Sequence, residues 1–234
     1  TRNMETNEIQ YQSPVELFES DYDGEMHHYN RQGVDLLVTP NHNMLVSSRK
    51  TGKNLLIKSE ELGSGYQLPR LGAICTKPDM GKIQVGELVL DSKSFFYFLG
   101  VYLGDGAIYH DPSEAKYRAY EISFQGSKSR KIETFIKALE GIGLTYRVNE
   151  VSTRGSKSVR TYSKDLWEFL ITLGKSGDKY IPIDLLNKMG KGDLEAIYSG
   201  LIDTDGCTSQ SVHFYTSSEK LANGFSDVAA RLGY

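Results

Sequence analysis

The sequence YSGLIDTDG at residues 198–206 has a counterpart 100 residues earlier, FLGVYLGDG at residues 98–106. Each copy is an apolar stretch with a glycine at its third position, Gly100 or Gly200, and each ends in Asp-Gly. A glycine inside a helix costs about 1 kcal/mol relative to alanine. Its presence at the same place in both copies indicates that two helix backbones approach closely there. The terminal Asp-Gly predicts the end of each helix, because glycine is the usual residue just after the last turn.

The aspartates that close the two stretches, Asp105 and Asp205, stand where a negative charge is unfavourable. The C-terminal end of a helix carries a partial negative charge of its own. Two acids at matched helix ends therefore indicate a positive group between them, and a metal ion is the simplest candidate. A single Asp-Gly is equally well explained as a helix-end turn, whereas the matched pair favours a functional site.

The residues that follow the first stretch recur after the second at an offset of 90. The first copy carries ten extra residues near Tyr109–Lys116, and Asp111-Pro112 indicates that this insertion is a loop. A repeated unit of this kind predicts a domain with pseudo-twofold symmetry. The matched pairs are Phe124 and Phe214, Ser127 and Ser217, Arg130 and Lys220, Phe135 and Phe225, and Gly143 and Gly233.

The two stretches resemble the LAGLIDADG signature of homing endonucleases. SGLIDTDG is close to the family's spelling, and LGVYLGDG is similar to the variant found as the first of a pair. The resemblance implies a site-specific, metal-dependent endonuclease for double-stranded DNA. It implies that Asp105 and Asp205 are catalytic and bind Mg²⁺ or Mn²⁺, each toward one DNA strand. The backbone carbonyls of Gly104 and Thr204 would complete the coordination.

A lysine precedes the second stretch in Lys179-Tyr-Ile-Pro182. On its own, Lys179 would be interpreted as a surface residue. The KxIP pattern, however, resembles a block of intein endonucleases that contributes a lysine to the active site. The resemblance implies that Lys179 is catalytic and lies near the scissile phosphate, where it would offset transition-state charge or polarise the attacking water.

The N-terminal part predicts short strands at residues 7–12, 25–29, 34–38, 43–47 and 55–57, which is typical of an all-β fold. Between two of them, VTPNHNMLV at residues 38–46 places Thr39 and His42 in one connection. This segment resembles the TxxH motif of the Hint-type splicing domain of inteins. Thr39 would bind the junction peptide and His42 would act as acid or base. The alternative is an ordinary turn histidine, and His27 and His28 are expected to be ordinary surface residues.

The predicted fold class is α+β, with a partial all-β splicing domain at residues 1–93 and an αββαββα endonuclease domain at residues 94–234. The splicing motifs expected at both ends of an intein do not appear, so we expect an internal fragment with a truncated second repeat. The flanking host protein, or extein, is an expected partner, and the complete protein is expected to be a monomer with an internal pseudo-dimer. Helices are predicted at residues 94–103, with Ser92 or Ser94 as N-cap, and at 129–142, 166–173, 193–204 and 218–232.

Bulk composition excludes several classes. The hydrophobic content of 39% is typical of a globular protein. No apolar run approaches the ~20 residues needed to span a bilayer, so no membrane association and no secretion are expected. Cys75 and Cys207 are too few for a disulfide framework, which favours a reducing compartment. We therefore expect a cytoplasmic protein of a prokaryotic, phage or archaeal host.

The net charge of −3 does not by itself suggest a nucleic-acid partner, but its distribution does. Residues 1–25 hold seven acids and one base, whereas residues 145–164 hold five bases and one acid. The second segment predicts a basic hairpin, and a β-ribbon fits the DNA major groove. The alternative for each residue is a solvated hairpin side chain. The DNA-binding candidates are Arg118, Arg147, Arg154, Lys157 and Arg160.

A second function class stays open at this point. A LAGLIDADG-type DNA- or RNA-binding regulator, or a splicing cofactor, would keep the fold without cleaving. Loss of an acidic residue at a motif end would indicate such a protein, and both Asp105 and Asp205 are present. The splicing-like N-terminal part also favours an endonuclease within an intein.

Overall fold

The computed structural model describes residues 13–31, 34–68, 77–108, 119–151, 155–209 and 211–234. Within them, thirteen strands and six α-helices form a mixed α and β fold with small antiparallel sheets. None of the helices in these ranges is both long and apolar enough to cross a membrane. The predicted strand at residues 7–12, the insertion at 109–116 and Cys75 lie outside the described residues.

The N-terminal part consists of short antiparallel strands, in agreement with the sequence prediction. The first two strands pair with each other, and the third lies between the fourth and the fifth. Val38, Met44 and Val46 form a small core of their own. The strands are β1 (His27–Arg31), β2 (Val34–Val38), β3 (Asn43–Ser48), β4 (Asn54–Lys58) and β5 (Tyr66–Gln67).

The remaining elements surround a second and larger core. Four strands form one sheet in the order β10-β11-β9-β8, and helices cover one of its faces. The elements are β6 (Lys82–Val85), β7 (Leu88–Asp91), α1 (Ser92–Asp105), β8 (Gly106–Ile108), β9 (Glu121–Gly126), α2 (Ser129–Gly141), β10 (Arg147–Val151), β11 (Ser156–Tyr162), α3 (Lys164–Ile171), α4 (Ile183–Leu186), α5 (Lys191–Asp205), β12 (Gly206–Cys207), β13 (His213–Phe214) and α6 (Glu219–Leu232).

The segment before α1 is a hairpin that belongs to the larger core. Ile83 and Val85 on β6 are buried in it, and Gly86 makes the turn with a φ of 58°. The boundary predicted near Lys93 falls inside α1. The larger core therefore already includes this hairpin, ahead of that boundary.

The start of α1 differs from the predicted N-cap. The capping residue is Asp91, whose carboxylate accepts a hydrogen bond from the Ser94 backbone N–H at 2.9 Å. Ser92 instead donates its hydroxyl to Asp193 at 2.6 Å. The buried carboxylate of Asp193 also accepts from the Met80 N–H at 2.8 Å, so it ties the start of α5 to α1 and to the chain before β6.

Helices α1 and α5 cross in direct backbone contact at the two glycines. A methyl group on Gly100 would overlap the Ile197 carbonyl oxygen and lie 3.0 Å from the Gly200 Cα. A methyl group on Gly200 would overlap the Tyr97 carbonyl oxygen in the same way. The close approach predicted from the paired glycines is therefore present, and it brings the C-terminal ends of both helices together.

The two copies of the repeat share their local contacts. Gly106 of β8 is paired with Phe124 of β9, and Gly206 of β12 is paired with Phe214 of β13. Phe124 stacks on Phe135 at 4.6 Å, and Phe214 stacks on Phe225 at 4.6 Å. The matched residues of the sequence repeat thus occupy matched positions after each motif helix.

The glycine contact generates a stability prediction. Gly100→Ala should lower the free energy of unfolding by about 3 kcal/mol, because the added methyl group meets rigid backbone atoms that cannot rotate away. Gly141→Ala is the matched control within a helix, since its methyl group would meet only Ser94 at 3.8 Å. Urea unfolding of both variants measures the difference. Equal stability of Gly100→Ala and the control would contradict the close crossing.

Candidate active site

The two aspartates lie next to each other where α1 and α5 end. The residues before them are already in contact, since a methyl group on Gly104 would overlap the Thr204 hydroxyl and lie 3.5 Å from Asp205 Oδ2. Both side chains are only partly exposed, at 22% for Asp105 and 30% for Asp205. The motif helices therefore deliver two carboxylates to one small region.

The positive group between these carboxylates is the ammonium of Lys131. It donates to Asp105 Oδ2 at 2.5 Å and lies 3.4 Å from Asp205 Oδ1. Lys131 lies in the first turn of α2 and was not among the residues predicted from the sequence. The signal that could have found it is the basic segment Lys128-Ser-Arg-Lys131, which opens the helix after β9.

Lys179 is placed behind the acids rather than between them. Its side chain is buried, with 6% exposure, and its ammonium donates to the backbone oxygens of Tyr102 at 2.7 Å, Leu103 at 3.2 Å and Gly106 at 2.7 Å. These oxygens belong to the last turn and the C-cap of α1, where most carbonyl groups lack helical partners; of the three, the Tyr102 oxygen also accepts from the Gly106 N–H. In this structure Lys179 therefore caps the helix that carries Asp105.

The electrostatics of the cluster follow from burial and from the paired charges. Burial and the neighbouring Asp105 charge raise the pKa of Asp205, against the opposing effect of Lys131. Burial opposes the charged form of Lys131, but its bonds to Asp105 and Asp205 outweigh burial and raise its pKa. Burial lowers the pKa of Lys179 to about 8, although both carboxylates favour its charged form.

The donor set fits a magnesium-type ion. Across the described residues, no group of three or more His, Cys, Asp or Glu side chains converges on one point. Two carboxylates without a third acid suit Mg²⁺, which commonly binds one or two protein carboxylates and takes its other ligands from water and phosphate. The Thr204 hydroxyl donates within α5 to the carbonyls of Gly200 and Leu201, at 3.1 and 2.9 Å, so it is already engaged.

The sheet beside the acids has one open face. The pairing of its strands shows which of the predicted DNA-binding residues lie on that face. Phe124 and Val159 are paired with each other and point into the core. Residues directly opposite each other share a face, so Arg147 and Arg160, which are paired, lie on the open face. Lys157 is paired with Gly126 and lies on the helix side. Arg118 and Arg154 lie outside the described residues.

A buried acid orders part of this open face. Glu121 is 1% exposed and accepts a hydrogen bond from the Tyr162 hydroxyl at 2.9 Å. The Arg160 Nε is 3.8 Å from the same carboxylate and donates to the Ser158 hydroxyl at 3.1 Å. The side chains of Arg160 and Tyr162 are therefore held in defined positions on the face.

The N-terminal candidates share one turn between β2 and β3. The Thr39 hydroxyl donates to Asn41 Oδ1 at 2.7 Å, and the His42 N–H donates to the Thr39 carbonyl at 3.0 Å. The imidazole of His42 is exposed. His27 departs from the surface residue that we expected, because its Nδ1 is 2.8 Å from the hydroxyl of the buried Ser59.

Comparisons with known proteins give partial likenesses. No family model matches the chain. The ATP-dependent Clp protease proteolytic subunit of Chlamydomonas moewusii is 22% identical to this chain, and the match covers 97% of this chain and 25% of that protein. The chain thus spans about a quarter of the length of that curated relative.

The solved structures that match part of this chain include homing endonucleases. I-DmoI in complex with DNA and Mn has a TM-score of 0.42 and 15% identity, with 61% of this chain and 78% of that chain covered. Mesophilic variants of the homing endonuclease I-DmoI have a TM-score of 0.44 and 16% identity over the same shares. The homing endonuclease I-WcaI bound to its DNA recognition sequence has a TM-score of 0.32 and 17% identity, with 52% and 54% covered.

The cap made by Lys179 generates a prediction. Lys179→Met should lower the free energy of unfolding by about 2 kcal/mol, because the carbonyl oxygens of Tyr102, Leu103 and Gly106 would lose the ammonium that donates to them. This loss outweighs the relief of no longer burying one charge. Lys175→Met, at an exposed position four residues earlier, is the control. Urea unfolding of both variants provides the measurement. Unchanged stability of Lys179→Met would show that the lysine does not cap α1.

Proposed function

We propose that this chain is a site-specific double-stranded DNA endonuclease of the LAGLIDADG homing type, with a remnant of a protein-splicing domain before it. One observation carries the proposal. Two Asp-Gly helix ends, Asp105-Gly106 and Asp205-Gly206, meet across the contact of Gly100 with Gly200 and place two carboxylates within reach of one ammonium nitrogen.

The chemistry follows from this charge arrangement. A phosphodiester resists attack because it and the hydroxide nucleophile are both negative. A divalent ion, when bound, neutralises that repulsion and lowers the pKa of water. Asp105 and Asp205 would hold this ion, together with backbone oxygens of the kind expected at Gly104 and Thr204. Lys179 fixes the α1 backbone behind Asp105, so in this geometry it is a positioning residue.

The open face of the four-stranded sheet is the DNA surface in this proposal. Strand β8 begins directly after Asp105, so the sheet and the acid pair adjoin. Arg147 and Arg160 supply positive charge for phosphates or base edges in the major groove. Asn149 is paired with Ser158 and lies on the same face, where its amide could read a base edge.

The splicing remnant rests on the turn that contains Thr39 and His42. The Thr39 hydroxyl and the His42 imidazole belong to the same short connection between β2 and β3, so both would lie near one peptide junction. The match to about a quarter of a Clp protease subunit supports a segment carried within a longer host protein. We therefore include a flanking extein among the proposed partners.

A non-cleaving DNA- or RNA-binding regulator is the second candidate. It would use the same sheet without needing the acid pair. The presence of both aspartates favours the endonuclease. In vitro selection of bound sequences from a randomised duplex library, followed by incubation with Mg²⁺, separates the two functions. Binding without any cleavage would support the regulator.

The acid pair generates a prediction for cleavage. Asp105→Asn and Asp205→Asn should each abolish Mg²⁺- or Mn²⁺-dependent cleavage of the selected DNA, because each removes a full charge from the metal site. Asp203→Asn is the matched control on α5, because Asp203 is not part of the acid pair. Its carboxylate accepts a hydrogen bond from the Tyr97 hydroxyl of α1 at 2.8 Å instead. Gel analysis of both strands measures the products. Full cleavage by either site variant would contradict the assignment of Asp105 and Asp205 as metal ligands.

The open sheet face generates a prediction for binding. Replacing Arg147 and Arg160 with alanine should weaken DNA binding and lower the slope of log K against log salt by about 0.9 for each phosphate that is no longer neutralised. Lys157→Ala is the control, because Lys157 lies on the helix side of the sheet. Fluorescence anisotropy at several salt concentrations gives the slopes. A larger effect from Lys157 than from the two arginines would place the DNA on the other face.

A further inference from the structure

Lys131 bridges acids that come from both repeats. Its ammonium contacts Asp105 of α1 and Asp205 of α5, which are 26 and 74 residues away in sequence. The side chain is partly enclosed, with 23% exposure. The packing of α2 against β9 fixes the position from which the Lys131 side chain extends, because a methyl group on Gly126 would contact the Lys131 Cβ at 3.4 Å. The bridge is therefore built into the packing of the first repeat.

The second repeat carries an apolar residue at the equivalent position. At the offset of 90, Lys131 corresponds to Leu221, which is 1% exposed in the core. Two matched acids thus share a lysine that the first repeat supplies. An ammonium that contacts carboxylate oxygens of both acids takes the place between them that a bridging cation would need. A divalent ion that bridged these two oxygens would therefore compete with the ammonium for one place.

We propose that Lys131 is an internal counter-ion that competes with the divalent metal ion for the Asp105–Asp205 pair. The inference rests on the proposed function, because it concerns the metal site of the endonuclease. In the absence of DNA, the single charge of Lys131 neutralises part of the acid pair and lowers its affinity for a divalent ion. A DNA phosphate offers the ammonium another anionic partner, so the ion gains access to the acids when DNA is bound.

The competition predicts a change in metal affinity that needs no nuclease assay. Lys131→Met keeps an unbranched apolar stem and removes the charge. It should bind Mn²⁺ or Ca²⁺ at least tenfold more tightly than the unmodified protein in the absence of DNA, since a positive charge beside a cation is unfavourable. Isothermal titration calorimetry with the metal salt alone measures the affinity. Lys128→Met, at an exposed position three residues earlier, should bind metal like the unmodified protein.

A second measurement covers the case in which Lys131→Met does not fold. In the unmodified protein labelled with ¹³C-lysine, the Lys131 Cε resonance should shift on titration with Ca²⁺, because the metal displaces the ammonium. Lys131→Arg assigns the resonance. An unchanged resonance at saturating Ca²⁺ would overturn the inference.

The outcomes separate this inference from the proposed function. Equal metal affinity of Lys131→Met and the unmodified protein would overturn the competition and leave the acid pair as a metal site. Tighter binding by Lys131→Met that persists in the double variant with Asp105→Asn would place the metal elsewhere and overturn both. Tighter binding that disappears in this double variant supports both.

Discussion

The direct backbone contact of α1 and α5 at Gly100 and Gly200 sets the position of the two aspartates of the site. Helices with ordinary side chains at their contact stay about 8–10 Å apart, which would separate the residues at their ends. Because both contact residues lack a side chain, the helices cross closely enough for Gly104 to meet Thr204. The next residue on each helix is an aspartate, so the crossing fixes the acid pair.

Bringing two carboxylates to two helix C-termini accumulates negative charge, and the fold compensates it at two levels. Lys131 contacts the carboxylates themselves, and the buried Lys179 binds the backbone oxygens at the end of α1. The two lysines come from different parts of the chain and have different exposure. Lys131 is the partly exposed cation of the cluster, whereas the buried Lys179 holds the backbone that presents Asp105.

The sheet beside this cluster is ordered by its own buried charge. Glu121 is enclosed beneath Arg160 and Tyr162, and it restrains both side chains on the open face. A restrained arginine loses less conformational freedom when it binds a phosphate or a base edge. The same acid reduces the net positive charge of the surface. The face therefore combines moderate charge with defined geometry.

The sequence alone determined the motif helices, their close crossing, the offset of the repeat and the basic hairpin, because each depends on local periodicity, glycine placement or charge. Several assignments needed the tertiary structure. Lys131 reaches its acids across 26 and 74 residues, and Lys179 turns toward backbone carbonyls, because packing decides where a flexible lysine points. The N-cap of α1 is Asp91 and not Ser92, because the Ser92 hydroxyl is engaged by Asp193, 101 residues away. Register likewise separated Lys157 from Arg147 and Arg160, since a sheet assigns faces by pairing and not by composition.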